Sequence, residues 1–334
     1  MSYRNIFVTG ADGFIGSHLT EKLVRLGYNV KALAQYNSFN SYGWLDHLDK
    51  STVGNFEKVL GDIRDQSNIN SLSKDADVIF HLASLIGIPY SYIASQSYID
   101  TNVSGTLNLL QAAKNNNVKK IIHTSTSEVY GTAQFVPISE SHPLNAQSPY
   151  AASKIAADQI AYSFYSSFDL PVAICRPFNT YGPRQSMRAV IPTIILQLLK
   201  GMDKVKLGNI HATRDFNYIE DTVNGFISIM LSDKSQGEIF NIGSKFEIDI
   251  QSIFNIISKI INPNAEILYD QQRIRPKKSE VERLFCDNSK ALEILDWKPF
   301  YNNKQNFSKG IIKTINWYKK KKNICKFNDI GYVI

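Results

Sequence analysis

Three glycines set the first constraint on the fold. In Thr9-Gly10-Ala11-Asp12-Gly13-Phe14-Ile15-Gly16 they fall at a G-x-x-G-x-x-G spacing. They follow the apolar run Asn5 to Thr9 and open an amphipathic stretch, Phe14 to Leu26, that stops at Gly27. A strand that turns sharply into a helix leaves the helix's first N–H groups unpaired, with their partial positive charge facing outward. Gly10 permits the tight turn, Gly13 lets the backbone approach a pyrophosphate, and Gly16 lets helix and strand pack closely. Gly10, Asp12, Gly13, Phe14, Ile15 and Gly16 are therefore expected to line a dinucleotide site.

The strand–helix unit then repeats. Asn29 to Leu33, Glu57 to Gly61, Ala76 to Leu82, Lys119 to Thr124 and Pro171 to Cys175 read as strands, while Asp100 to Ala113 and Pro149 to Phe168 have helical spacing. Strands that are apolar throughout, instead of alternating, are buried on both faces. Interleaved with helices they predict an α/β fold: a doubly wound, Rossmann-type parallel sheet with right-handed crossovers. After Arg176 the alternation breaks down, and turn-rich stretches (Asn179 to Gln185, His211 to Asn217) separate helices at Ile191 to Lys200 and Asp221 to Leu231. The expected organisation is a dinucleotide-binding domain over 1–176 and a smaller, mixed α/β substrate lobe over 177–334. That boundary is soft, and the chain is free to return to the first domain.

The 334 residues, 43% hydrophobic and 20% charged, supply a core large enough for a deep site. The net charge of +7 is scattered; its one dense run, Lys319 to Lys322, follows Trp317-Tyr318 and suits a solvated helix C-terminus. A nucleic-acid partner is not expected, since that needs a concentrated basic stripe. Cys175, Cys286 and Cys325 are far apart and lack metal-ligand spacing, so no metal is expected and a reducing, cytoplasmic location is. No apolar stretch approaches the roughly 20 residues that span a bilayer.

Tyr150-Ala151-Ala152-Ser153-Lys154 opens the predicted helix after the fifth strand. Residues four apart share a helical face, so the Lys154 ammonium can approach the Tyr150 phenol and favour its ionised form. A phenolate there can take the proton of a sugar hydroxyl while hydride leaves for a nicotinamide.

With the glycine loop, the Y-x-x-x-K pair identifies a resemblance to the extended short-chain dehydrogenase/reductase superfamily, in particular its nucleotide-sugar epimerases and dehydratases, over nearly the whole chain. The resemblance implies NAD as cofactor, with Leu82 and Ala83 at the end of the fourth strand beside it, and Asp62-Ile63 at the adenine. The position where NAD-preferring relatives carry an acid falls on Ala34, followed by Gln35, Tyr36 and Asn37. Neither an acid nor an arginine is present, so NADP stays open, with NAD favoured because no cation is placed for a 2′-phosphate.

The resemblance also places a substrate hydroxyl at Thr126, within Thr124-Ser125-Thr126-Ser127-Glu128-Val129-Tyr130-Gly131. Simple 4-epimerases usually lack an acid two positions on, whereas GDP-mannose dehydratases carry T-S-E, as here. Oxidation at C4 acidifies the C5 proton; Glu128 can remove it, water leaves C6, and the stored hydride returns there. Either Ser127 positions a water for the leaving hydroxyl or Glu128 serves both steps. Asn179 and Arg184, in R-P-F-N-T-Y-G-P-R, with Arg214 and Arg275, match positions that bind the sugar diphosphate. Tyr36 to His47, Ser127 to Pro143 and Arg275 to Arg283 look like N-acetylhexosamine 4,6-dehydratases of the legionaminic-acid type, acting on GDP- or UDP-N-acetylglucosamine. A 4-epimerase is the alternative enzyme, and a silent dinucleotide-binding sensor or scaffold the alternative of another class. A homodimer is implied by analogy, through helices at Ile93 to Ala113 and Pro149 to Phe168.

Overall fold

The computed structural model describes residues 3–48 and 56–327. In chain order the N-terminal half runs β1 (Asn5–Thr9), α1 (Phe14–Arg25), β2 (Asn29–Gln35), β3 (Phe56–Gly61), α2 (Gln66–Leu72), β4 (Val78–His81), α3 (Ile88–Ile93), α4 (Ser95–Tyr98), α5 (Gly105–Asn115), β5 (Lys120–Thr124) and α6 (Pro149–Phe168). The rest comprises β6 (Val172–Pro177), β7 (Asn179–Tyr181), α7 (Val190–Leu199), β8 (Lys204–Leu207), β9 (Thr213–Tyr218), α8 (Ile219–Leu231), β10 (Ile239–Ile242), β11 (Glu247–Asp249), α9 (Ile250–Ile261), β12 (Glu266–Tyr269), β13 (Arg283–Leu284), α10 (Ser289–Leu295), α11 (Lys304–Lys319) and α12 (Lys321–Ile324).

The doubly wound sheet is present. Its seven strands run in the order β10-β6-β5-β4-β1-β2-β3, and every neighbouring pair is parallel. Burial follows from composition: every residue of Val78–His81 and of Val172–Pro177 is buried. Strand order reverses between β1 and β4, and the glycine loop leaves β1 at that switch point, where a crevice opens beyond the strand ends.

Six strands are expected from sequence; the seventh, β10, comes from the C-terminal half and pairs with β6. The helix before it, α8, packs on the same sheet, against β5 and β6. Lys120 of β5, wholly buried, caps that helix by donating Nζ to the carbonyls of Ile229 (3.3 Å) and Met230 (3.1 Å). The lobe itself is a four-stranded sheet built on β9, which β7, β11 and β13 flank, and a two-stranded sheet of β8 and β12.

Two readings need correction. The turn-rich stretches at 179–185 and 211–217 contain β7 and β9, whose polar residues are paired inside the lobe: the buried Asp215 carboxylate accepts from Ser244 N (2.7 Å), Ser244 Oγ (2.6 Å) and Lys245 N (2.8 Å). The single helix expected over 93–113 is broken. Ala94 leaves helical geometry (φ −123°, ψ 46°), and Ile99–Ser104 form a π-turn before α5 begins. That turn aims Asn102 inward, where its side chain meets Leu85 N (2.8 Å), Leu85 O (3.0 Å) and Ser153 Oγ (2.9 Å). Lys319 to Lys322 do lie exposed around the end of α11.

Candidate active site

At the crevice, the glycines are required by packing. A side-chain carbon on Gly10 (φ +64°) would meet Ala83 N at 2.7 Å and the Leu82 carbonyl carbon at 2.8 Å; one on Gly16 would meet Gly10 O at 2.1 Å. The strand-end pair Leu82 and Ala83 is thus pressed against the loop, and Ala83 N donates to Thr9 Oγ1 (3.2 Å). Gly13, by contrast, is exposed and caps α1 with no side-chain hydrogen bond, and no acid occupies the first turn. Those free N–H groups fit a pyrophosphate. Asp62 is tied to Arg64, with Oδ1 and Oδ2 both 3.0 Å from Nε, which holds its carboxyl below the usual range. Ile63 is buried against Gly105.

The catalytic candidates come together. Ser148 caps α6, its hydroxyl accepting from Ala151 N (3.1 Å), and Pro149 supplies the first-turn φ. The helix then buries Tyr150 and Lys154 on the face that meets β5. Thr126 caps the 3₁₀ turn Ser127–Tyr130 by accepting from Glu128 N (3.2 Å), which fixes the Glu128 backbone; Glu128 is partly exposed while Ser127 is buried. Burial raises the Tyr150 pKa strongly; the Thr126 hydroxyl opposes this and the nearby Glu128 carboxylate adds to it. Glu128 also favours the charged form of buried Arg214. The carboxylate is therefore near enough to act electrostatically on both the phenol and the lobe's arginine.

The lysine differs from expectation. Its Nζ donates to Thr124 O at 2.6 Å, and burial lowers its pKa to about 8, with Asp158 opposing. In the cofactor-free chain desolvation outweighs any help it gives the phenol, so Tyr150 is protonated.

Behind the pair lies a buried polar network that sequence reasoning missed. Asp158 Oδ2 accepts from Ser125 Oγ (2.8 Å), Arg176 Nε (3.1 Å) and Arg176 Nη2 (3.0 Å). Arg176 Nη1 donates to Tyr130 OH (2.9 Å), which donates to Asn241 Oδ1 (2.7 Å) of β10. His123 Nε2 lies 3.3 Å from Asp158 Oδ1 without hydrogen-bond alignment. Burial alone would raise the Asp158 carboxyl; His123 and Arg176 outweigh it and hold it low. Its signal was available: one acid on a helix of small residues, four positions after Lys154.

At the substrate end the four predicted residues divide. Arg214 Nη2 bonds Glu280 Oε1 (3.3 Å) and the Val281 carbonyl, and Arg275 lies close enough to lower its pKa further. Arg275 Nη1 and Asn179 Oδ1 are buried polar atoms with no hydrogen-bond partner among the described residues, which suits an anionic, hydroxyl-bearing ligand. Arg184 does not join them. Its Nη2 pairs with Glu21 Oε2 (2.5 Å) and Nη1 approaches Ser17 Oγ (3.4 Å), so it braces α1 beside His18. The proximity of Arg184 to Pro183 in sequence hid that its partner is on the first helix. Glu280, which meets Arg214, was not foreseen; only the fold brings it there.

A family model described as GDP-mannose 4,6 dehydratase matches residues 7–310. Over 319 residues the chain is 32% identical to a putative UDP-glucose 4-epimerase of Methanocaldococcus jannaschii, covering 94% of this chain and 98% of that one. It is 30% identical to a dTDP-glucose 4,6-dehydratase of Actinoplanes, covering 94% and 97% respectively. A dTDP-glucose 4,6-dehydratase of Streptomyces venezuelae, solved as a double mutant with NAD bound, superposes with a TM-score of 0.85 at 28% identity, covering 96% of this chain and 98% of that one.

Proposed function

We infer, since the chain belongs to the NAD-dependent epimerase/dehydratase family of extended short-chain dehydrogenases/reductases, that it is a sugar-nucleotide 4,6-dehydratase. The substrate is a GDP- or UDP-N-acetylglucosamine, a reading that rests on the three stretches Tyr36 to His47, Ser127 to Pro143 and Arg275 to Arg283. NAD is the cofactor, supported by the glycine cradle and by the NAD-bound relative. One observation supports the choice of dehydration: Glu128 sits in the turn that Thr126 caps and lies close enough for its charge to act on both Tyr150 and Arg214.

In this reading the free N–H groups of the first turn of α1 hold the pyrophosphate of the cofactor, which Gly13 lets approach, and Leu82 and Ala83 wall the crevice. When bound, NAD supplies the hydride acceptor and donor. Tyr150 takes the proton of the C4 hydroxyl, with Thr126 fixing that hydroxyl's direction. Lys154, protonated and anchored on Thr124 O, favours the phenolate once the cofactor's charge is added. Glu128 removes the proton from C5, acidified by the C4 ketone, as hydroxide leaves C6 and is protonated to water by Glu128 itself or through a water positioned by Ser127. The resulting 5,6-double bond then takes back the hydride at C6 and a solvent-derived proton at C5. Arg214, Arg275 and Asn179 grip the sugar diphosphate, which keeps C5 within reach of Glu128.

The wild-type protein, incubated with GDP- and UDP-N-acetylglucosamine and read by mass spectrometry, should give a product lighter by one water that has taken one solvent deuterium at C5 in D2O. An unchanged mass with inverted C4 configuration would establish the epimerase instead. Dinucleotide binding without turnover of any activated sugar would point to a sensor or scaffold.

A further inference from the structure

We propose that Asp12, from the glycine loop, reads the adenosine ribose in place of the acid that normally closes β2, and makes the site selective for NAD over NADP. The proposal rests on the NAD reading above and goes further by naming the selective residue.

In doubly wound dinucleotide sites, a carboxylate at the end of the second strand accepts hydrogen bonds from the ribose hydroxyls, and its charge repels a 2′-phosphate. Here that position is Ala34, wholly buried. None of the next three residues, Gln35, Tyr36 and Asn37, carries a carboxylate. The Asn37 amide is committed to Gln35 O (3.1 Å) and Ser41 O (2.8 Å), and Tyr36 is exposed.

Asp12 supplies a carboxylate at the same place from the opposite wall. Its Oδ2 accepts from the backbone N–H of Gln35, the last residue of β2, at 3.4 Å. The loop after β2 holds it there. Trp44 N donates to Asp12 O (3.1 Å), and Gly43 (φ +57°) packs so tightly that a side chain on it would meet Asp12 O at 2.8 Å and Asp12 Cβ at 3.0 Å. The Gln35 contact is long, and among the described residues no cation pairs with Asp12. The carboxylate therefore keeps accepting capacity, and burial makes it more basic than an exposed aspartate. The cations on the neighbouring strand ends are spent: Arg64 on Asp62 and Lys58 on Asp46 (2.7 Å). Neither is free to receive a 2′-phosphate.

Calorimetric titration of the wild-type protein should give NAD binding at least about tenfold tighter than NADP, as a hydrogen bond to a charged group can supply. Asp12→Asn should weaken NAD by about tenfold, leave NADP unchanged or tighter, and so collapse the ratio. Because the Asp12 carbonyl, not its side chain, bonds Trp44, the loop should survive, as circular dichroism and the melting temperature would show. A second measurement needs no variant: wild-type protein should bind 2′-deoxy-NAD about tenfold more weakly than NAD. Equal affinities for NAD and NADP, equal losses of both in Asp12→Asn, or undiminished binding of 2′-deoxy-NAD would overturn the assignment while leaving the dehydratase reading intact. Failure of the wild-type protein to bind either dinucleotide would overturn that reading as well.

Discussion

Glu128 separates two reactions that otherwise need the same residues. In the proposed mechanism Thr126, Tyr150 and Lys154 suffice to oxidise C4, and only elimination needs a second base. Glu128→Gln keeps shape and the cap at Glu128 N but removes the base. Loss of a positioned general base costs roughly 10²- to 10⁴-fold. Water loss and deuterium uptake at C5 should fall by that factor, while substrate-dependent reduction of bound cofactor, read by absorbance, persists. If both fall together, Glu128 acts earlier than elimination. These residues were legible because each belongs to a local pattern: a glycine spacing, a helical i, i+4 pair, a strand-end T-S-E. Arg184 was misread because its partner, Glu21, has no local signature, and the pair forms across the fold.

At the scale of elements, α6 shows what periodicity reveals and what it hides. Its bounds could be read from Ser148, Pro149 and the apolar spacing, and its C-terminus ends on Asp169 in the left-handed region (φ 54°). Its function as the carrier of a buried charge could not. Asp158 sits one turn beyond Lys154, and its attraction opposes the burial that lowers the lysine to about 8. The chemistry needs the ammonium, so kcat/KM should decline as pH rises through that region. Asp158→Asn removes the counter-charge and lowers the Lys154 pKa further. Its basic limb should therefore move to lower pH, whereas a purely structural role would leave that limb in place. Deleting the acceptor altogether, in Asp158→Ala, strands the Arg176 charge and should cost about 3–5 kcal/mol of stability, measured by chemical denaturation. The broken helix at 94–104 and the polar strand β9 escaped sequence reasoning for a related reason. Hydropathy records which residues are apolar, not which polar ones find buried partners, as Asn102 and Asp215 do.

Across the whole molecule, both faces of the parallel sheet are covered, which buries His81 and His123 fully and His18 in part. His81 and His123 are buried on β4 and β5 with rings 5.6 Å apart, and His18 of α1 bonds Pro183 O at 2.9 Å. Burial lowers all three pKa values, that of His18 to about 4 from an ordinary 6.5, with the charge of Arg184 adding to the effect. A depressed histidine pKa means that the unfolded chain binds the proton more tightly. The resulting stability is fully present above pH 6.5 and is lost as pH falls towards the folded value. For His18, whose pKa falls from 6.5 to about 4, that loss is at most about 3 kcal/mol by pH 4, and less to the extent that solvent reaches its partly buried ring. Asp215 works in the opposite sense, since burial raises it to about 6 and its protonation relieves the folded state over the same range. Burial also raises the carboxyls of Asp12, Glu140 and Asp221 and lowers the imidazole of His47, so the contribution of His18 is isolated by comparing the change in melting temperature between pH 7 and pH 5 with that of a variant. His18→Gln keeps a donor for Pro183 O but has nothing to titrate, and its melting temperature should fall less over that interval than that of the wild type. Parallel curves for the two proteins would mean that His18 is solvated in the folded chain, and that α1 and the Pro183–Arg184 turn are less tightly closed than their hydrogen bonds indicate.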